Sequence, residues 1–198
     1  MANEAATKDL FLAVNQIFPH LSCLINSASI FEYDRANSET PLSEKGLQEH
    51  MWVNLTAPIL LLKLMFDCQK SKLSTSAIIP LLDQKLINLN PDYLAYTLSK
   101  AALLSSVELL AMDFVLYLRV LGFAPGISLP SGDQMNDGFA IAHPMTLLGK
   151  SSTPLDVAKA AVFLAEAGAI TGTTLYVDGG QHLSPSSRDV MFKTNEVF

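Results

Sequence analysis

Cysteine is scarce in this chain. Only Cys23 and Cys68 occur among 198 residues, and they form no C-x-x-C pair. That excludes a disulfide framework and a cysteine-bound zinc, and it fits a reducing compartment, so a cytoplasmic location is expected. Charge is also sparse, at 16% of residues, and 13 Lys plus Arg against 19 Asp plus Glu leave a net −6. With no sequence-wide attraction for phosphate backbones, nucleic acid is not expected as a partner. No signal peptide is visible at the start, where Glu4 and Lys8 stand among small residues. Long unbroken apolar runs are missing too. Lys63 interrupts the run at 57–66, and Glu108, Asp113 and Arg119 interrupt 101–120. Neither reaches about 18 apolar residues, so no membrane span or membrane partner is expected. Apolar residues themselves are plentiful, at 49%. This excludes a disordered chain and supplies a core for a single domain over 1–198.

Hydrophobic spacing gives an alternation of helix and strand. Leu10, Phe11, Val14, Ile17 and Phe18 recur at helical spacing over 4–18. A short apolar run at 22–26 reads as a buried strand, and 43–66 as one long helix entered through Pro41. A second strand is expected at 76–82, although Pro80 removes a ladder donor there. Residues 93–114 read as a helix and 119–124 as a third strand, stopped by Pro125-Gly126. An irregular loop is expected over 128–145, a helix capped by Thr153 over 154–167, and a last strand at 174–177. Continuous apolar strands alternating with helices argue for an α/β fold, a parallel sheet covered on both faces.

One pair of residues carries chemistry at the level of spacing. Tyr96 and Lys100 lie at i and i+4, so on a helix they share a face. An ammonium near a phenol favours the phenolate, which is expected to lower the tyrosine pKa and make Tyr96 a usable proton donor or acceptor. Alone, the pair is a weak signal and reads more readily as an ordinary surface-helix pair than as a site. Asp83 lies just past a strand and thirteen residues before Tyr96. Asn26 ends another strand, and Pro125-Gly126 follows a third. Each has an ordinary use: Asp83 and Asn26 as caps, Pro125-Gly126 as a turn. Their joint placement at strand C-termini, where parallel sheets bind ligands, points to a site.

In this order the segments N-S-A-S at 26–29, Asn54, Y-T-L-S-K at 96–100, R-V-L-G-F-A-P-G at 119–126 and I-T-G-T-T-L-Y-V-D-G-G at 170–180 resemble the short-chain dehydrogenase/reductase family. Asp83, where most of the family has serine, and S-A-S-I-F-E at 27–32 are similar to the pteridine reductases and to bacterial dihydrofolate/dihydromonapterin reductase-like members. The resemblance implies a Rossmann-like doubly wound sheet, NADPH as cofactor with NADH possible, and a small-molecule substrate. It also implies roles. Tyr96 would donate the proton, Lys100 would tune Tyr96 and hold the nicotinamide ribose, and Asp83 would relay a proton or orient substrate. Asn54 would hold a helix irregularity and a water linking Lys100 to solvent. Asn26, Ser27, Ala28 and Ser29 would line the cofactor, and Pro125, Gly126, Ile127 and Ser128 its nicotinamide end. Ser29 and Phe31 would touch substrate, Phe31 by stacking on a pterin; a core or lid aromatic is the alternative. Residues 128–150 would form the substrate loop, and the helices 43–66 and 93–114 a homodimer or homotetramer interface.

The chain also departs from the family. It holds no T-G-x-x-x-G-x-G run, the loop that presents backbone N–H groups and a helix N-terminus to a pyrophosphate. The match begins near the family's third strand, so the expectation is a partial domain whose strand at 22–26 lies at an exposed edge. Ser27 and Leu121 replace asparagines. Three functions stay open: a pterin-type reductase, a non-catalytic remnant or interaction subunit of the same fold, and a carbonyl reductase or alcohol dehydrogenase acting on another substrate.

Overall fold

The computed structural model describes residues 3–70, 76–130 and 136–193. The four short apolar runs become β1 (Cys23–Asn26), β2 (Ser76–Pro80), β3 (Leu118–Pro125) and β4 (Thr173–Val177). They form one sheet in the order β1-β2-β3-β4, every pair parallel. Pro80 is the last residue of β2, opposite Asn26; the ladder to β3 lapses after Ile78 and resumes beyond the proline, where Leu81 bridges Phe123.

Alternation along each strand decides which layer a side chain joins. Ile78, Val120 and Ala124 face the cluster that contains Leu62, Met65, Leu103 and Val107. Ala77, Ile79, Leu121 and Phe123 face the opposite way, onto Leu164. The first layer is built by α1 (Glu4–Ile17), α3 (Ala57–Gln69) and α4 (Leu94–Asp113), the second by α6 (Pro154–Glu166). The doubly wound expectation therefore holds. Leu121, where the family carries a polar residue, is fully buried in the apolar layer under α6. Arg119 turns its guanidinium to the end of α6 and donates to the carbonyls of Ala165 (2.6 Å), Ala167 (2.9 Å) and Leu164 (3.0 Å). It thereby satisfies carbonyls that a helix C-terminus leaves without partners.

Two boundaries differ from the sequence reading. The helix expected over 43–66 is α2 (Glu44–Met51), a π-helical turn (Trp52–Thr56) and α3, running on to Gln69. The loop expected over 128–145 contains a helix, α5 (Asn136–Ala142), because Phe139 to Ala142 offer a short apolar face whose last residue is fully buried. Two helical stretches, 44–69 and Leu94–Asp113, are long and apolar enough to cross a membrane by length and composition. Counting unbroken apolar runs understated them, since a few charges do not prevent a high mean. Both place leucines in the sheet-facing core, the first with Met65 beside them.

Candidate active site

The site assembles where the strands end. α4 begins at Tyr93, whose left-handed backbone (φ 57°) gives the helix no side-chain cap of its own. Asp34, in the loop after β1, takes that role. Its carboxylate accepts from Ala95 N at 3.1 and 3.3 Å, and its carbonyl accepts from Leu94 N at 3.3 Å. The first turn of α4 is thus tied across the end of β1, and Tyr96 stands over the end of β2. There the Tyr96 hydroxyl donates to Asp83 Oδ2 at 2.8 Å. The other oxygen, Oδ1, accepts from Lys85 N at 2.8 Å and caps the short 3₁₀ turn Gln84–Leu86. The cap reading of Asp83 is met by Oδ1, and Oδ2 lies against the Tyr96 hydroxyl.

The electrostatics correct one expectation. Tyr96 is not acidified by Lys100. Burial, and next the facing Asp83 carboxylate, push its pKa well above the usual phenol range. Burial likewise raises Asp83, against the hydrogen bonds from Lys85 and Tyr96. Lys100 is lowered to about 8, again by burial, with Asp83 pulling it back up. Its ammonium donates to the Leu81 carbonyl at 2.7 Å and lies 5.8 Å from the centre of the Tyr96 ring.

Asn54 sits inside the π-helical turn, fully buried. Its Oδ1 accepts from Ile30 N (2.8 Å) and Ser29 Oγ (3.1 Å), and its Nδ2 donates to Ile30 O (3.0 Å) and Ser99 Oγ (3.1 Å). An asparagine side chain offers two acceptor sites and two donors. All four are used by protein, and through them the side chain ties the loop after β1 to α4.

A cavity of about 580 Å³ opens beside Tyr96 and Asp83. Ser27, Ser29, Phe31 and all of Pro125, Gly126, Ile127 and Ser128 line it, as do Ala142, Met145 and Thr146 from the expected substrate loop. Gly126 is needed there, since a side chain would press on Asp178 Cβ at 2.7 Å. Phe31 stacks on Tyr93 (centroids 3.9 Å) and meets Tyr96 edge-on (4.7 Å). Asn26, Ala28, Asn54 and Lys100 are not among the lining residues. Asn26 is buried, and its Nδ2 has no hydrogen-bond partner among the described residues. Its main-chain carbonyl holds Leu81 N at 2.9 Å. Missed from sequence were Asp34, Ser99 and a charged group on the far wall, Lys85, Arg188 and Asp189. No local spacing marks them, because each meets its partner across a long stretch of chain.

Comparison with known proteins agrees with this geometry. The profile of a family described as enoyl-(acyl carrier protein) reductase matches residues 1–182. An uncharacterised oxidoreductase of Thermotoga maritima is 29% identical over 190 residues, spanning 91% of this chain and 73% of the relative. The L-fucose dehydrogenase of Mus musculus is 32% identical over 180 residues, spanning 84% of this chain and 63% of that protein. Among solved structures, FolM alternative dihydrofolate reductase 1 from Brucella canis, complexed with NADP, superposes with a TM-score of 0.83 at 28% identity, covering 92% of this chain and 72% of that one.

Proposed function

The chain belongs to the short-chain dehydrogenase/reductase family of NAD(P)-dependent oxidoreductases, and from that premise we propose that it reduces a C=N or C=O bond in a flat heteroaromatic substrate of the pterin type, with NADPH. The observation that carries this reading is the Tyr96–Asp83 hydrogen bond at 2.8 Å, beside Phe31 on the cavity wall. A carboxylate next to an aromatic face suits a planar nitrogen heterocycle, which offers N–H donors at its edge and a π-face for stacking. The likeness to the Brucella FolM structure supports the same substrate class.

NADPH, when bound, supplies the hydride. Among this chain's residues, Ser27, Ser29 and Pro125 to Ser128 line the cavity, and Asn26, which ends β1 next to Ser27 in the chain, offers a buried amide donor without a partner among the described residues. They fit the nicotinamide half of such a cofactor. Tyr96 keeps its phenolic proton, because burial and Asp83 disfavour the phenolate, and it can pass that proton to the reduced atom. Asp83 accepts from the Tyr96 hydroxyl; with its own pKa raised by burial, it can take up a proton from the cavity and hand it to the Tyr96 phenolate along the existing hydrogen bond. Lys100 contributes a positive charge one turn away, 5.8 Å from the centre of the Tyr96 ring.

The reading is tested by following NADPH oxidation at millimolar cofactor with dihydropterins and with simple ketones. Dihydropterin turnover that falls by about a hundredfold or more in Tyr96→Phe, with NADPH affinity held within about threefold, is the expected result. Turnover of ketones alone would favour the carbonyl-reductase reading, and no turnover of either would favour a non-catalytic subunit. Near-normal activity of Tyr96→Phe would remove Tyr96 from the chemistry.

A further inference from the structure

One wall of the cavity is the segment 184–193, and buried charge holds it in place. The side chain of Asp92 is fully buried. It accepts from Arg188 Nε and from Asp189 N, each at 2.8 Å, with the Arg35 guanidinium at 3.7 Å. Lys85, only 4% exposed, donates to the Asp92 carbonyl at 2.6 Å and to the Asp189 carboxylate at 3.0 Å. Two adjacent residues, Arg188 and Asp189, are thus gripped by groups of opposite sign from the loop between β2 and α4. Buried ion pairs gain little net stability against apolar packing, yet breaking one strands an uncompensated charge. Such a pair fixes position more than it adds stability.

An aromatic row runs from this grip to the candidate proton donor. The Arg188 guanidinium lies 4.4 Å from the centre of the Phe192 ring. Phe192 rests on Tyr33 (5.1 Å) and Tyr93 (6.3 Å). Tyr93 stacks on Phe31, and Phe31 meets Tyr96. At its far end the segment forms a short helix, α7 (Val190–Lys193), which packs against α5. The segment therefore spans the cavity between α5 and the loop after β1, with Ser186, Val190 and Met191 facing the interior.

We propose that the 184–193 segment is a charge-latched wall that selects substrates by size and seats their ring on Phe31, with Arg188 and Asp189 as its specificity-determining residues. This rests on the reading of the cavity as the substrate site. Released at Arg188, the wall swings away, and bulky substrates gain access at the expense of ring placement.

The test uses the full chain with Arg188→Ala and Arg188→Lys, and two measurements. In hydrogen–deuterium exchange, Arg188→Ala is expected to speed amides 186–193 by about tenfold while β2 and β3 stay as they were, and Arg188→Lys is expected to restore most of the protection. In NADPH-dependent turnover, the ratio of kcat/KM for dihydrofolate to that for dihydrobiopterin is expected to rise about tenfold in Arg188→Ala and to stay near wild type in Arg188→Lys. Unchanged exchange in Arg188→Ala overturns the latch, and an unchanged ratio overturns the selection. A wild-type chain that reduces neither probe overturns the reductase reading and the selection built on it, while exchange still reports whether the latch holds.

Discussion

At the scale of single residues, the site is governed by how three ionisable groups share one buried corner. Burial comes first, raising Tyr96 and lowering Lys100; the Asp83 carboxylate adds to the rise at Tyr96 and offsets part of the fall at Lys100. Lys100, at about 8, is an ammonium at neutral pH and loses its proton as pH rises through that value. A reduction that needs this ammonium is therefore expected to slow above pH 8. Asp83→Asn removes the charge that sustains Lys100, so the alkaline limb should move to lower pH. It also removes the group that returns a proton to Tyr96, and turnover should fall by at least about tenfold. A pH–rate profile of the variant decides between the two functions of Asp83. Full activity with an unmoved alkaline limb would leave it only the cap on the Gln84–Leu86 turn.

At the scale of elements, the candidate centre depends on two local departures from regular helix. One is the π-helical turn at Trp52–Thr56, an irregularity that frequently marks functional sites. Asn54 lies within it and binds the loop after β1 with three of its four hydrogen bonds. Asn54→Ala leaves the Ile30 amide and carbonyl without their partner, at a cost of about 2 kcal/mol. Urea unfolding should show that loss. Turnover should fall further than stability alone explains, since this loop carries Ser29 and Phe31 to the cavity. A variant as stable as wild type would mean that the π-helical turn holds itself. The other departure is the left-handed start of α4, completed by Asp34 from 61 positions away. These two explain what could be read from the chain alone. Strands were legible because run length and the proline and glycine stops are local, and Thr153 was legible as a cap because its partner, Asp156, is three residues on. The helix irregularity at Asn54 was legible through family resemblance, and its partners were not. α5 stayed hidden inside a glycine- and proline-rich stretch. Asp34, Lys85 and Arg188 stayed hidden because their partners are 61, 104 and 96 residues away.

At the scale of the whole molecule, the sheet and the cofactor pose a single question. β1 pairs with β2 and with no other strand among the described residues, so its outer edge is open and Ile25 is 47% exposed there. Nearby, α1 leaves Leu10, Leu12, Ile17 and Phe18 on the surface. An unpaired apolar edge is a template for another chain. α4 adds Leu109 and Met112 to the exposed apolar surface. The cofactor meets the same deficit. The nicotinamide end has Asn26 and the residues after β3, but the 198 residues hold no glycine-rich loop to present backbone N–H groups to the pyrophosphate. Without such a loop, NADPH binding by these residues is expected to rest mainly on the nicotinamide half. The 198-residue chain, made alone, is therefore expected to self-associate and to bind NADPH at least about a hundredfold more weakly than the Brucella FolM protein, a loss of about 2.7 kcal/mol. Light scattering and isothermal titration under matched salt check both halves of this expectation. A monodisperse sample that binds NADPH at micromolar concentration would show that donors elsewhere in the chain, and not a glycine-rich loop, hold the phosphates.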